Sequence, residues 1–285
     1  MKILAIGDYH GTFPSKFKNI IKKEKIDLIV SIGDYLPFHY RKLWFKHCYG
    51  KDVELWEIIG KKKYRKLVLE DVRKGEVPIK KLNQIGIPVY TVLGNVDYPS
   101  ADDVMDEKES RNKSMPNYNQ KDSFLKKLKN YKNIHRFDYS YLKFGNYVFI
   151  GMRGHSNPGR VKSKAFKKHK KILEKLFKKF KKENKERRVI FVSHNILYNT
   201  KLDKITSKDA HTKAKGKHFG SKLARRIVDQ YKPLLHFGGH IHESYGKQKV
   251  GKSVCINVGA AHEGKAAIIE LDDKKGKINK IKLIR

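Results

Sequence analysis

The strongest constraint on the fold is a series of five short apolar runs spread along the chain. They are KILAIG (2–7), LIVSIG (28–33), VYTVLG (89–94), VIFVS (189–193) and LLHFGG (234–239). Each run is nearly continuous in apolar character, which is typical of strands that are buried on both faces. Amphipathic helical patterns separate most of the runs, and this alternation predicts parallel strands joined by right-handed crossovers.

Two further parts of the chain predict antiparallel strands. Residues 134–152 alternate in hydropathy and turn at Gly145-Asn146, which indicates a hairpin or three short strands. The C-terminal segments GKSVCINVG, KAAIIELDD and GKINKIKLI alternate in the same way, with glycine turns between them. A chain that mixes both kinds of strand with helices predicts an α/β fold with a two-sheet core and helices outside.

The chain has 285 residues, which suits one large α/β domain or two small ones. No internal boundary is visible, so we expect a single domain over residues 1–285. Two polar stretches, near 97–120 and 199–217, are predicted to be surface insertions.

The sequence also bounds the compartment. No apolar stretch of about 18 residues predicts a membrane span, and the N-terminus does not resemble a signal peptide. Cys48 and Cys255 lie far apart and are expected to be free thiols in a reducing cytoplasm. We therefore expect a cytoplasmic protein without membrane association, while the oligomeric state is left open.

The formal net charge is +36, which raises the question of a polyanionic partner such as nucleic acid. The lysines are spread over the whole chain, which favours a proteome-wide lysine bias or a surface kept soluble by charge. No aromatic stacking platform lies beside a basic stripe. Any nucleic-acid binding is therefore expected to be weak, non-specific and steeply dependent on salt.

A polar side chain follows each of the five apolar runs where the predicted strand ends. In chain order these residues are Asp8 and His10, Asp34, Asn95, His194, and His240 and His242. Taken singly, an aspartate here is more often a turn residue and a histidine more often a core residue. Their recurrence at five strand ends favours a common site, because the carboxyl ends of parallel strands lie along one edge.

The chemistry of this set predicts a metal centre. Two carboxylates, an amide and four imidazoles suit Mn, Fe, Zn, Ni or Co rather than calcium. Seven ligands exceed the needs of one ion with an open position, and they suit two ions about 3.5–4 Å apart that share a carboxylate. Such a pair can deprotonate a bridging water near neutral pH and hold the oxygens of a phosphoryl group during in-line attack.

The motifs GDYHG, GDY, GNVD, SHN and GGHIH resemble the five-part signature of the calcineurin-like metallophosphoesterases, and the similarity runs from residue 1 to about residue 271. The nearest likeness is to short, cyclic-nucleotide-phosphodiesterase-like archaeal and bacterial members. The resemblance implies a four-layer α/β/β/α sandwich of two mixed sheets flanked by helices. It also implies that Asp8, His10 and His242 hold one ion, that Asn95, His194 and His240 hold the other, and that Asp34 bridges them.

The sequence departs from the family pattern in three places. Val96 stands where the family usually has a histidine that stabilises the transition state or protonates the leaving group. HNIL replaces a proline-containing stretch, and Val258 replaces a proline. The predicted metal site is therefore complete, whereas the acid function and the substrate wall are altered.

Other groups could replace the missing histidine. The loop GMRGHSNPGR offers Arg153, His155 and Arg160. We predict Arg153 and His155 as catalytic residues beside Asn95 and Asp34, against the alternative of an ordinary surface loop. His39 and His218 are further candidates for lining the site.

The function expected from these residues is hydrolysis of phosphoesters, with phosphodiesters favoured, by a hydroxide that bridges two ions. One alternative is a metal-dependent nuclease acting on DNA or RNA, although such members usually carry an extra capping domain for which this chain has no room. Another alternative is a binding scaffold with low turnover, and the intact set of seven ligands disfavours it.

Overall fold

A computed structural model of the protein describes residues 1–49, 51, 53–97, 122–156, 158–159, 161–207 and 214–285. Within these ranges, no helix combines the length and the apolar character that crossing a membrane requires. The strands are β1 (Lys2–Ile6), β2 (Leu28–Ser31), β3 (Val89–Thr91), β4 (Ile134–Arg136), β5 (Tyr141–Phe144), β6 (Tyr147–Met152), β7 (Val189–Asn195), β8 (Leu235–Gly239), β9 (Gly246–Val250), β10 (Ser253–Asn257), β11 (Ala266–Asp272) and β12 (Lys277–Ile284). The helices are α1 (Lys16–Glu24), α2 (Arg41–His47), α3 (Leu55–Ile59), α4 (Lys61–Asn83), α5 (Asp122–Lys129), α6 (Lys164–Lys179), α7 (Lys181–Lys185) and α8 (Lys222–Tyr231).

These strands form two mixed sheets of six strands each. The first sheet has the order β12-β11-β1-β2-β3-β4, in which β1 to β4 are parallel and β11 and β12 are antiparallel to their neighbours. The second sheet has the order β5-β6-β7-β8-β10-β9, in which β6, β7, β8 and β10 are parallel. The antiparallel strands lie at one border of the first sheet, whose parallel part extends to the edge strand β4, and at both borders of the second sheet.

Alternating side chains on each strand divide the core into three apolar layers. On β1, Ile3 and Ala5 face the second sheet and meet Phe149 and Val192. Leu4, on the opposite face of β1, packs in a cluster with residues of α1, α4 and α5. The outer face of the second sheet packs against α6 and α8 in the same way. Helices, two sheets and helices thus form the four layers of an α/β/β/α sandwich, as predicted.

The five predicted strands are all present as β1, β2, β3, β7 and β8, but they do not share one sheet edge. Three lie in the first sheet and two in the second. Residues 134–152 form three short strands, and the glycine turn joins β5 to β6 as expected. However, β4 pairs with β3 in the first sheet, so this segment crosses from one sheet to the other. Because strands of both sheets have the same pattern of hydropathy, that pattern does not show to which sheet a strand belongs.

Helix α2 and strand β9 were not predicted, because both are short. Of the two predicted insertions, residues 98–120 lie outside the described residues. In the second, residues 199–207 and 214–217 are described, and isolated bridges join Lys204 to His218 and Leu197 to Ser221. These bridges hold the described ends of this stretch together, next to the end of β7 in the second sheet.

The backbones of the two sheets come into direct contact where their parallel strands end. Gly154, just after β6, donates its N–H to the carbonyl of Leu93, just after β3, at 2.7 Å. A Cβ atom on Gly154 would lie 2.5 Å from the amide nitrogen of Asn95 and 2.7 Å from the carbonyl carbon of Gly94. Glycine is therefore required at residue 154 because backbone from the other sheet occupies the space of a side chain.

We expect Gly154→Ala to destabilise the protein by about 1–3 kcal/mol, since the added methyl group must push apart two backbone segments. Urea unfolding would measure the change. Gly159→Ala is the matched control in the same loop, because a Cβ there meets no atom of the described residues within 4 Å, and its effect should stay within about 0.5 kcal/mol. Equal stability of the two variants would show that the sheets can separate at this point without cost.

Candidate metal centre

The loops after β1, β2 and β8 turn sharply at the residues that were predicted to bind metal. Asp8, His10, Asp34 and His240 have φ angles of 53°, 44°, 55° and 73°. This left-handed conformation is uncommon outside glycine, and it clusters at functional sites where surrounding contacts hold it. It directs the side chains from the strand ends into the space between the two sheet edges.

A first group of side chains surrounds Asp8. Nε2 of His10 lies 3.4 Å from Nε2 of His242, and the same atom of His242 lies 3.6 Å from Oδ1 of Asp8. One ligand atom each from His10, His242 and His262 lie within 4.8 Å of one another, and the same holds for Asp8, His10 and Asp34. His262 was not predicted.

A second group surrounds His194, which is fully buried. Its Nε2 lies 2.8 Å from Oδ1 of Asn95, 3.3 Å from Nδ1 of His240 and 3.5 Å from Oδ2 of Asp34. Asp34 belongs to both groups. All seven predicted ligands therefore lie together, and Asp34 stands between the two groups.

Two contacts within this centre call for a cation. Nδ1 of His194 donates to the carbonyl of Ile32 at 2.9 Å, so Nε2 of a neutral ring has no proton. Its lone pair then faces the amide oxygen of Asn95, so two hydrogen-bond acceptors lie 2.8 Å apart without a proton between them. A cation bound by both atoms would remove this repulsion. In addition, Oδ1 of Asp8 is buried and receives no hydrogen bond from any described residue. The donors present therefore fit divalent metal ions.

Burial and charge in the centre favour an ionised Asp8 and neutral rings at His10 and His240. Burial alone would raise the pKa of Asp8, but the nearby His242, His194 and His10 lower it below its ordinary value. Burial lowers the pKa of His10, and burial together with His194 lowers that of His240 to about 3. Imidazoles with a lowered pKa stay neutral, and only the neutral ring can bind a metal. At His242 the Asp8 carboxylate outweighs burial and raises the pKa.

Asp97 holds the loop that carries Asp34. The buried Asp97 carboxylate accepts the backbone N–H groups of Asp34, Tyr35, Leu36 and Gly94 at 2.7–3.2 Å. Burial and the Asp34 charge raise the pKa of Asp97 to about 7, and these N–H donors oppose the rise because they bind the ionised form. Asp97 therefore fixes the left-handed turn from which the Asp34 side chain extends.

The predicted loop residues Arg153 and His155 flank Gly154, which packs against the backbone of Asn95. His155 is fully buried, its Nε2 is 2.6 Å from the hydroxyl of Tyr139, and burial lowers its pKa to about 3. The Arg153 guanidinium stacks over the Tyr139 ring at 5.6 Å. The side chain of Asn195 clamps this loop, since it accepts the N–H of His155 and donates to its carbonyl. The predicted catalytic role of Arg153 and His155 stays a prediction.

The remaining candidate residues make their contacts outside the group of seven ligands. His39 bonds to Asp71 on α4, and Nδ1 of His218 lies 2.7 Å from Oδ1 of the buried Asp203. Val96 is half-buried and packs against the core between the first sheet and its helices. Arg160 lies outside the described residues.

Sequence reasoning missed His262, Asp97 and Arg41. Asp97 stands inside the GNVD motif, two residues after Asn95. His262 follows β10, which is parallel to β8, so the same strand-end rule would have found it had β10 been taken as parallel. Arg41, at the start of α2, lowers the pKa of His240 through its charge, and no signal in the sequence placed it near the centre.

The fold and the centre define a class of protein: an α/β/β/α sandwich with a paired histidine and aspartate site at the strand ends. The family model of the calcineurin-like phosphoesterases matches residues 1–244, and the chain belongs to this family. The uncharacterized protein MJ1162 of Methanocaldococcus jannaschii is 26% identical over 283 residues, which cover 97% of this chain and 98% of the relative.

Two solved structures share the fold. One is a dimetal phosphatase from Danio rerio, with a TM-score of 0.58 and 11% identity over 100% of this chain and 96% of that one. The other is the protein TT1561 of Thermus thermophilus, with a TM-score of 0.51 and 15% identity over 100% and 99% of the two chains. At these identities the likeness concerns the fold.

We expect Asp97→Asn to lower the free energy of unfolding by about 1–3 kcal/mol, because an amide NH₂ would replace one acceptor oxygen and leave a buried N–H without a bond. Urea unfolding at pH 8 would measure it. Asp229→Asn is the control, since Asp229 lies on the surface of α8 and pairs with Arg225; its effect should be below about 0.5 kcal/mol. If Asp97→Asn matched this control, the four N–H bonds would not stabilise the turn.

Proposed function

We propose that this protein is a dinuclear metal-dependent phosphoesterase that favours phosphodiesters. The observation that carries the proposal is the convergence of seven metal-type side chains from five strand ends, around a buried Asp8 oxygen to which no described residue donates. A scaffold without turnover would have no need to bury such a set of charges, because each buried charge costs free energy unless a partner compensates it.

The proposed ligand assignment follows the two groups of side chains. Asp8, His10 and His242 would hold the first ion, while Asn95, His194 and His240 would hold the second. Asp34 would bridge them, since its carboxylate is shared by both groups. Contacts to backbone carbonyls fix the rings: Nδ1 of His10 donates to Leu36 at 3.2 Å, as Nδ1 of His194 does to Ile32.

When bound, two divalent ions supply a water of lowered pKa and neutralise charge on the phosphoryl oxygens. The chain's own residues orient that chemistry. The left-handed turns at Asp8 and Asp34 aim both carboxylates, and the N–H of Val96 donates to Oδ1 of Asp34 at 3.1 Å. Val96 thus contributes its backbone to the centre, while its side chain has no proton to give a leaving group.

The proposed preference for esters with acidic leaving groups rests on Val96. A leaving group that departs readily as an anion needs no proton, so the missing histidine matters least for aryl esters. A cytoplasmic location is part of the proposal, and it is supported by Cys48 and Cys255, which are both buried and free as a reducing compartment requires.

The first test concerns the two ions. Wild-type protein should bind two equivalents of Mn²⁺ or Co²⁺, and Asp34→Asn should weaken both by roughly 10- to 100-fold or more, the range for the loss of a supporting residue. Equilibrium dialysis with metal analysis would measure this. Asp203→Asn is a control with a buried aspartate outside the centre, which bonds His218. A single bound ion, unaffected by Asp34→Asn, would contradict the dinuclear assignment.

The second test concerns Val96. Val96→His should raise turnover of alkyl phosphoesters at least about tenfold, a part of the 10²–10⁴-fold that a general acid contributes, and change aryl phosphodiesters little. Steady-state kinetics on matched alkyl and aryl esters would measure the difference. Val96→Leu is the control, because it changes size without adding a proton.

Three experimental results would distinguish between the alternatives. Equal gains on alkyl and aryl esters would contradict the role assigned to residue 96. Arg153→Lys tests the loop in the same way, and equal losses on both substrates would exclude Arg153 as the leaving-group donor. Metal-dependent cleavage of DNA or RNA that persists at about 0.15 M salt, where charge attraction alone is weakened, would favour the nuclease alternative.

A further inference from the structure

We propose that His262 is an eighth metal ligand, a third imidazole for the ion held by Asp8, His10 and His242. The proposal rests on the proposed function, since it concerns the same dinuclear centre. His262 lies outside the five signature motifs, on a short 3-10 turn, Ala261–Glu263, that links β10 to β11.

The position of the ring is the first argument. His262 forms a compact cluster with His10 and His242, in which one ligand atom of each lies within 4.8 Å of the other two. Ring centroids are 5.1 Å apart for His10 and His262 and 5.4 Å apart for His242 and His262. Three imidazoles this close to one another are arranged as the ligands of one ion are, and His242 among them also lies 3.6 Å from Oδ1 of Asp8.

The anchoring of the ring is the second argument. Nδ1 of His262 donates to the backbone carbonyl of Asp8 at 2.9 Å, which leaves Nε2 as the nitrogen with a lone pair. His10 and His194 are held in the same way, each through Nδ1 to a backbone carbonyl. Metal-binding histidines almost always donate their second ring N–H to such a group, because it fixes the tautomer and the ring orientation.

An ordinary ion pair does not explain this histidine. Among the described residues, the acidic partner of His262 is Glu263, whose carboxylate lies 3.9 Å from Nε2, beyond hydrogen-bonding distance. Glu263 is instead bound by Lys265 at 2.5 Å. Among the residues that the structure describes, none donates a hydrogen bond to Nε2 of His262, so its lone pair is available for a metal ion.

The backbone makes the position of His262 rigid. The N–H of Ala261 donates to the carbonyl of Gly7 at 2.7 Å, so the turn is tied to the end of β1 one residue before Asp8. Gly264 closes the turn with a φ angle of 82°. The loop of His262 is thus joined directly to the loop that carries two of the predicted ligands.

An eighth ligand makes the two ions unequal. The first would have five donor side chains, Asp8, His10, Asp34, His242 and His262, and the second would have four, Asp34, Asn95, His194 and His240. A five-donor set with room for one more oxygen suits ions that prefer six ligands, such as Mn²⁺, Fe²⁺, Co²⁺ or Ni²⁺, whereas zinc prefers four. We expect the first position to select against zinc more strongly than the second.

Cobalt binding tests the proposal without reference to catalysis. Metal-free full-length protein is titrated with Co²⁺, and the bound metal and the visible spectrum are followed together. His262→Ala and His262→Gln should each weaken one of the two ions by roughly 10- to 100-fold, and should strengthen and shift the visible bands because one ion loses a ligand. His242→Ala removes a proposed ligand of the same ion, and its effect on metal binding is the standard for comparison. His135→Ala, on the exposed edge strand β4, is the control and should match wild type.

Each outcome decides the proposal. Weakening of one ion in both His262 variants, with metal-free unfolding temperatures equal to wild type, supports it. Two ions bound as tightly as in wild type with an unchanged spectrum overturn it, and the dinuclear function then stands without it. Unchanged metal binding with weaker inhibition by inorganic phosphate also overturns it and makes His262 a substrate contact. If wild type itself fails to bind two ions, the proposed function fails before any variant is compared.

Discussion

The structure depends on the close approach of two sheets at the carboxyl ends of their parallel strands. Hydrogen bonds cross this junction from backbone and side chain alike. The N–H of Gly154 reaches Leu93, Nδ1 of His194 reaches the carbonyl of Ile32, and the N–H of His240 reaches Oδ2 of Asp8 at 3.1 Å. Because each bond joins one sheet to the other, the junction fixes the relative position of the ligands that each sheet contributes.

The same approach determines the electrostatics of the centre. Packing two sheet edges together buries Asp8 and His194 completely and removes the water that would otherwise solvate them. Burial lowers the pKa of His10 and His240, which keeps these rings neutral, while the histidines around Asp8 keep its carboxyl ionised. A bound cation completes this arrangement, because its positive charge balances the negative charges of the buried Asp8 and Asp34 carboxylates while the histidines stay neutral.

The departures from the family pattern have different physical consequences. The asparagine of SHN, Asn195, forms a reciprocal pair with the backbone of His155, so this change supports the loop that follows β6. Tyr139 joins His155 and His169, whose pKa values burial lowers to about 3, in one buried polar cluster. Val96 removes an acidic proton from the centre and keeps only a backbone N–H on Asp34. The change at Asn195 therefore concerns stability, whereas the change at Val96 alters the chemistry available to a substrate.

The local pattern of the sequence determined the strands, the alternation with helices and the seven ligand types, since hydropathy period and strand-end residues are properties of adjacent positions. The tertiary structure decided how those strands divide between two sheets and which residues support the ligands. Asp97 acts through four N–H groups that are brought together by folding, and His262 reaches the centre because β10 pairs in parallel with β8. Sheet membership and partner choice depend on contacts between residues far apart in the chain, and hydropathy period does not encode them.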